Sequence, residues 1–305
     1  MRMRIATRGS KLAMWQAHHT KALIARRHPE LSVEIVPIKT TGDKIVDRPL
    51  HELAGKSLFI KELEEALLND EADIAVHCVK DYHPVTPDGF DLEVVMKRDT
   101  AADLLLSHQQ LSRWQELPAG AVIGTTSQRR IFELKRLRPD LQFRQLRGNI
   151  DTRLQRLQNG EFDAIVLAES GFERLGLHHH TIFRLSVDEM VPAVGQGALA
   201  IETRSGDTEA LEIIRFLNDP LTKVLVDAER EFVRAVGGDC KSAIGSFARY
   251  EGDQVTLTAF IGNISSMQEM RRSKICAAAS SRVMAANMGQ EFLAEGGAVI
   301  LAQPL

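Results

Sequence analysis

Residues 125–130 read Thr-Thr-Ser-Gln-Arg-Arg, directly after an apolar run at 121–124. A strand that hands over to a helix there puts both arginines in the first helical turn. That end of a helix carries partial positive charge and unpaired N–H groups, so natural sequences favour acids in it. Arg129 and Arg130 are therefore either solvated surface cations or half of an anion site. In the second case the helix N–H groups, the hydroxyls of Thr125 and Ser127 and the two guanidinium forks share the ligand. The pattern recurs at Leu146-Arg147-Gly148-Asn149, with Arg153 in the following helix, and at Arg8 just before Ser10. Carboxyl ends of strands are where α/β sheets bind ligands. Five arginines at such ends point to a ligand with several carboxylates or phosphates. No Walker A or dinucleotide glycine fingerprint accompanies them.

Two other places carry reactive groups. Val76-His77-Cys78-Val79-Lys80-Asp81 ends another apolar run. Asp81 beside Lys80 is either an ion-paired turn or a carboxylate placed for proton transfer or for stabilising a cation. His77 reads as a structural residue at the strand end. Gly237-Gly238-Asp239-Cys240-Lys241 places a cysteine on a glycine-rich loop beside a lysine, which can lower a thiol pKa. A free cysteine is otherwise a small buried hydrophobe. His178-His179-His180 lacks metal-ligand spacing and reads as a solvated loop, so no metal is expected.

These groups need a scaffold, and the chain is long enough for two or three domains at 305 residues. Strand-like runs at 4–7, 33–38 and 73–77 alternate with helices. One starts at the Ser10 cap, with Leu12, Trp15, His19 and Leu23 as its apolar positions. Another spans 58–68 with Phe59, Leu63 and Leu67 on one stripe. Residues 40–56 form a long aperiodic loop. The pattern restarts with strands at 121–124, 142–146 and 163–168 and helices to about 137 and over 149–159. Two such units of parallel-sheet texture predict two doubly wound domains. The last third differs: a helix at 221–236, strands at 243–250, 255–260 and 270–277 with a turn at 251–253, and a closing helix at 280–294. That is a smaller α+β domain.

Composition narrows the function. Lys plus Arg is 38 and Asp plus Glu is 41, a net charge of −3, which argues against a general nucleic-acid partner. No stretch reaches the roughly 20 apolar residues of a membrane span. The beginning of the chain lacks the apolar region of a secretory signal, and the three cysteines show no redox or metal spacing. A cytoplasmic protein with reduced thiols is the expectation.

In one order the sequence carries Ile5-Ala6-Thr7-Arg8-Gly9-Ser10, Gly55-Lys56-Ser57-Leu58-Phe59-Ile60-Lys61-Glu62-Leu63-Glu64, Val76-His77-Cys78-Val79-Lys80-Asp81, Gly124-Thr125-Thr126-Ser127-Gln128-Arg129-Arg130, Leu146-Arg147-Gly148-Asn149 and Pro192-Ala193-Val194-Gly195-Gln196-Gly197-Ala198. Together these closely resemble the porphobilinogen deaminase, or hydroxymethylbilane synthase, family over residues 4–245. The resemblance implies two α/β domains, doubly wound and similar to periplasmic binding proteins, facing a cleft, and a smaller C-terminal α+β domain. The implied divisions are 1–98 with 193–217, then 99–192, then 218–305. It implies a monomeric transferase that condenses four porphobilinogen molecules with loss of ammonia. They are added to a dipyrromethane cofactor joined by a thioether to Cys240. Water then releases hydroxymethylbilane.

By match of position the resemblance makes Asp81 the catalytic aspartate, with Lys80 beside it and Lys56 on a lid loop. Arg129, Arg130, Ser127, Thr125, Lys80, Gln196 and Asp81 would hold the cofactor. Arg8, Ser10, Arg147, Arg153 and Arg174 would hold substrate carboxylates. The chain departs from the family pattern at Cys78-Val79 and Tyr82-His83 around Lys80-Asp81, at Asp239 before Cys240, at Ala101-Ala102 before Asp103 and at Ser57 after Lys56. The alternative function is a divergent two-lobed paralogue that binds pyrroles or small carboxylates without turnover.

Overall fold

A computed structural model describes residues 2–40, 60–238 and 242–302. The strands among them are β1 (Arg2–Arg8), β2 (Ser32–Ile38), β3 (Ile74–Cys78), β4 (Phe90–Val95), β5 (Asp103–Ser107), β6 (Val122–Gly124), β7 (Gln142–Arg144), β8 (Ala164–Ala168), β9 (Ile182–Leu185), β10 (Leu199–Arg204), β11 (Ala243–Glu251), β12 (Gln254–Gly262) and β13 (Glu269–Ala277). They form two five-stranded sheets, β2-β1-β3-β10-β4 and β7-β6-β8-β5-β9, and the three-stranded sheet β11-β12-β13. By compactness the chain divides into one unit of Met1–Arg98 with Ala198–Lys223 and another of Asp99–Gly197 with Val224–Leu305.

The two larger sheets share one plan. The first three strands of each are parallel, β1 pairing with β2 and β3, and β6 with β7 and β8. The fourth strand of each runs antiparallel to both its neighbours: β10 lies between β3 and β4, and β5 between β8 and β9. The purely parallel texture expected from the apolar runs therefore holds for half of each sheet. An antiparallel strand buried on both faces reads like a parallel one, because side-chain environment rather than strand direction sets the pattern.

Helix α1 (Lys11–Arg27) starts as the sequence indicates, with the Ser10 hydroxyl accepting from the Ala13 N–H at 3.3 Å. Its buried face is Gln16, Ala17, Thr20 and Ile24, one position on from the expected stripe. Small Ala17 and Thr20 let the helix lie close on the sheet. Trp15 and His19 instead stack on each other with centroids 5.0 Å apart. In α2 (Lys61–Leu68), Leu63 and Leu67 are buried as the stripe predicts, while Phe59 lies outside the described residues.

In the second unit, α3 (Gln128–Leu137) is held from behind. Its Phe132 stacks on Phe260 of β12 at 5.5 Å, both with no exposure. Burying each such ring contributes about 1.5–3 kcal/mol. A Cβ on Gly262 would meet Phe132 at 2.7 Å, so glycine makes this approach possible. The C-terminal sheet is a meander turned at Glu251–Gln254, and its Val255, Leu257 and Ile261 share one core with Phe232 and Phe292. Phe232 of helix Pro220–Val236 meets Phe292 of helix Ser281–Phe292 edge-on at 5.3 Å.

Candidate active site

In the second unit the polar groups collect at the carboxyl ends of β6 and β8 and at the start of β5, which pairs with the end of β8 through Asp103 and Ala168. Ser127 caps α3 and accepts from the Arg130 N–H. The Thr125 hydroxyl, buried, accepts from the Ser127 N–H at 3.2 Å. This puts Arg129 and Arg130 in the first turn, as the sequence predicts, yet neither is a surface cation: they are 3% and 7% exposed.

Their counter-ion is Asp103, 1% exposed. Its Oδ2 accepts from Arg129 at 2.7 Å, and its Oδ1 accepts from Arg130 Nε at 3.1 Å and from a terminal Arg130 nitrogen at 2.7 Å. Arg129 also donates to the Val191 carbonyl and Arg130 to the Val166 carbonyl, both at 2.8 Å. Gln196 Nε2 donates to the Ala101 carbonyl at 2.7 Å and to Asp103 at 3.1 Å. A helix start that repels guanidinium groups thus keeps two of them because a buried carboxylate faces them. Two guanidinium groups on one carboxylate leave the trio with one net positive charge. Arg129 Nε is buried and has no hydrogen-bond partner among the described residues. The sequence alone does not single out Asp103. The available signal is an acid heading the apolar strand Asp103–Ser107, since acids are seldom fully buried without a partner.

The other predicted arginines differ in setting. Arg174, 9% exposed, donates to Asp99 at 2.9 Å and to the Gly197 carbonyl at 2.8 Å. Arg153 Nε donates to the Gly148 carbonyl at 2.8 Å, and Arg147 is half-buried. Gly148 has φ of +101°, and a Cβ there would meet Thr152 at 2.9 Å, so this strand-to-helix turn requires glycine.

The first unit places Arg8 and the Lys80-Asp81 turn at one sheet edge, because β1 and β3 are parallel neighbours. Ser10 is occupied with its capping bond. After β3 the chain makes a single 3-10 turn, Val79–Asp81. The Val79 N–H donates to the Ala198 carbonyl and the Tyr82 N–H to the Val79 carbonyl, each at 3.1 Å. Val79 is fully buried, Lys80 is half-buried and Asp81 is exposed. His77 is buried and lies 2.9 Å from the buried carboxylate of Glu202, so it serves the structure as the sequence indicates.

Lys56 and Cys240 lie outside the described residues, as do all other residues of 41–59 and Asp239, so the loop expected at 40–56 falls almost wholly outside them. Of the other thiols, Cys78 packs against the first core with Gln16 Nε2 3.0 Å from its sulfur, and burial pushes the Cys276 thiol up. His178 and His180 are exposed. Among the described residues no group of three His, Cys, Asp or Glu side chains is arranged to hold a metal ion, and no helix is long and apolar enough to cross a membrane.

Fold and edge chemistry define the class: an α/β protein with two doubly wound sheets, polar groups at their carboxyl edges, and a three-stranded C-terminal sheet. Residues 3–212 match the family model described as Porphobilinogen deaminase, dipyromethane cofactor binding domain, and residues 223–295 match Porphobilinogen deaminase, C-terminal domain. The chain is 44% identical over 297 residues to a porphobilinogen deaminase of Maridesulfovibrio salexigens, covering 97% of this chain and 96% of that one. The chain belongs to the porphobilinogen deaminase family. Among solved structures it is similar to the second substrate binding domain of a putative amino acid ABC transporter from Streptococcus pneumoniae, at 15% identity, TM-score 0.44, covering 70% of this chain and 90% of that one. It is also similar to the BvgS periplasmic VFT2 domain of Bordetella pertussis, at 16% identity, TM-score 0.43, covering 70% and 85%.

Proposed function

We propose that this chain condenses four porphobilinogen molecules head to tail, releasing four ammonia molecules, and that water frees the product as hydroxymethylbilane. The observation that carries the reading is the Arg129–Asp103–Arg130 trio. It sets two guanidinium groups against one carboxylate, and the buried Arg129 Nε–H has no hydrogen-bond partner among the described residues. A carboxylate is a group that such an N–H binds well. Each pyrrole of the dipyrromethane cofactor bears an acetate and a propionate, so the residues fit the cofactor. Its chemistry when bound is to supply the primer that substrate units extend.

In this reading Arg129 and Arg130 bind a cofactor carboxylate. Ser127 and Thr125 fix the helix start that aims them, and Gln196 braces Asp103 behind them. Arg8, Arg147, Arg153 and Arg174 pair the carboxylates of added units, helped by Ser10. Asp81, exposed on its turn with Lys80 adjacent, faces the substrate pyrrole and stabilises the positive charge that develops as ammonia leaves. Lys56 closes over the site from its loop, and Cys240 anchors the cofactor through a thioether. Three domains, 1–98 with 193–217, 99–192 and 218–305, a monomeric state and a cytoplasmic setting without nucleic-acid or membrane partners complete the account. The test is stoichiometry: purified enzyme given porphobilinogen releases four ammonia molecules per linear tetrapyrrole. Tight porphobilinogen binding without ammonia release would contradict turnover and favour the non-catalytic paralogue.

A further inference from the structure

Lys80 and Asp81 are bracketed by two aromatic residues that meet one carboxylate. Glu202 of β10 has no exposure, and its Cα is paired with that of Ala75 in β3. One carboxylate oxygen, Oε2, lies 2.9 Å from His77 Nε2, and the other, Oε1, accepts from the Tyr82 hydroxyl at 2.5 Å. His77 precedes the turn and Tyr82 follows it. Their rings lie 5.1 Å apart, and Tyr82 is 5% exposed. On its other side Tyr82 meets the His83 ring at 5.4 Å, and His83 Nε2 is 3.6 Å from Glu64. A buried carboxylate is unfavourable unless hydrogen-bonded. Apolar side chains of similar shape would fill this space without that demand. Here three polar groups converge at the foot of one short turn whose exposed residue is Asp81.

We propose that Glu202, acting through His77 and Tyr82, is a positioning residue that fixes the direction in which the turn presents Asp81. This rests on Asp81 being the catalytic carboxylate. The backbone bonds from Val79 and Tyr82 close the turn. The Tyr82 hydroxyl on Glu202 adds a side-chain tie from the exit of the turn to β10, the strand paired with β3 at its entrance. Small displacements of a reacting group lower rate while leaving substrate binding largely intact.

The experiment uses full-length enzyme with its cofactor in place, checked by intact mass. Tyr82→Phe lowers kcat about tenfold and leaves KM for porphobilinogen within about twofold. Glu202→Gln keeps an acceptor for Tyr82 and recovers part of the rate lost in Glu202→Ala. In an Asp81→Glu background, where the carboxylate is already misplaced, Tyr82→Phe costs less than about twofold more. A hydroxyl with a merely structural role would still cost the full factor there, and that result overturns the proposal. So does wild-type kcat in Tyr82→Phe. Asp81→Asn run in parallel separates the two failures: full activity in it overturns the reading of Asp81 and the proposal together. An inactive Asp81→Asn beside an unimpaired Tyr82→Phe overturns the proposal alone. Should Tyr82→Phe not fold, Glu202→Gln carries the test, judged by the same split between kcat and KM.

Discussion

Asp103 Oδ2 stands 2.7 Å from a terminal nitrogen of Arg129, and both side chains are buried. The same carboxylate takes two donors from Arg130. The charge at the start of α3 is therefore built in rather than borrowed from solvent. Removing Asp103 strands two buried cations. Asp103→Asn is expected to lower the unfolding free energy by about 3–5 kcal/mol, the range for breaking a buried pair. Urea denaturation checks this. A loss below about 1 kcal/mol would place the trio in an aqueous setting.

Arg147 makes the complementary case. It is half-buried, so Arg147→Leu leaves folding nearly unchanged. If it pairs a substrate carboxylate, kcat/KM falls about tenfold to a hundredfold, matching the loss of one charge-assisted hydrogen bond. Steady-state kinetics with a thermal melt separate the two effects. Unaltered kinetics would make Arg147 surface charge.

Gly197 shows what the segment around Gln196 requires. Its φ is +87°, and a Cβ would lie 2.4 Å from the Thr100 carbonyl oxygen. Gly197→Ala combines backbone strain with a clash, and a loss above about 2 kcal/mol is expected. Thermal unfolding measures it. A neutral substitution would contradict the close approach.

Asp73 gives the acid limb. Burial pushes its carboxyl up, but hydrogen bonds from Arg4 and the nearby Arg204 charge outweigh that and hold it below the ordinary 3.8. A carboxylate with a depressed folded pKa stabilises the protein fully above the unfolded value. That stability is lost as pH falls through the folded value. The stability gap between wild type and Asp73→Asn is thus constant above about pH 5 and closes as pH drops below 3.8. Urea melts across this range test it; a pH-independent gap would contradict it.

What the sequence reveals follows from locality. Strands β3 and β8 are legible because each is a short, largely apolar run, and β2 because it is rich in β-branched residues. Strands β4, β9 and β10 are not, since their pairing is non-local and Glu202 interrupts the apolar pattern of β10. The α1 stripe is misplaced by one residue because small Ala17 and Thr20, rather than Trp15 and His19, are buried. Strand-end arginines and Asp81 are visible from residue type and position alone. Their internal partners Asp103 and Glu202 are not, because each acts on residues far away in sequence. Glu229 is a third such group: fully buried, it accepts from the N–H groups of Gly195 at 2.7 Å and Ala248 at 2.8 Å.

The covalent primer is the centre of the account, and intact-mass spectrometry of the purified chain tests it most directly. The wild-type protein, after exposure to porphobilinogen, should be heavier than its sequence by one dipyrromethane, and Cys240→Ala should show the sequence mass alone. An unmodified wild-type chain, or an adduct that persists in Cys240→Ala, would contradict it.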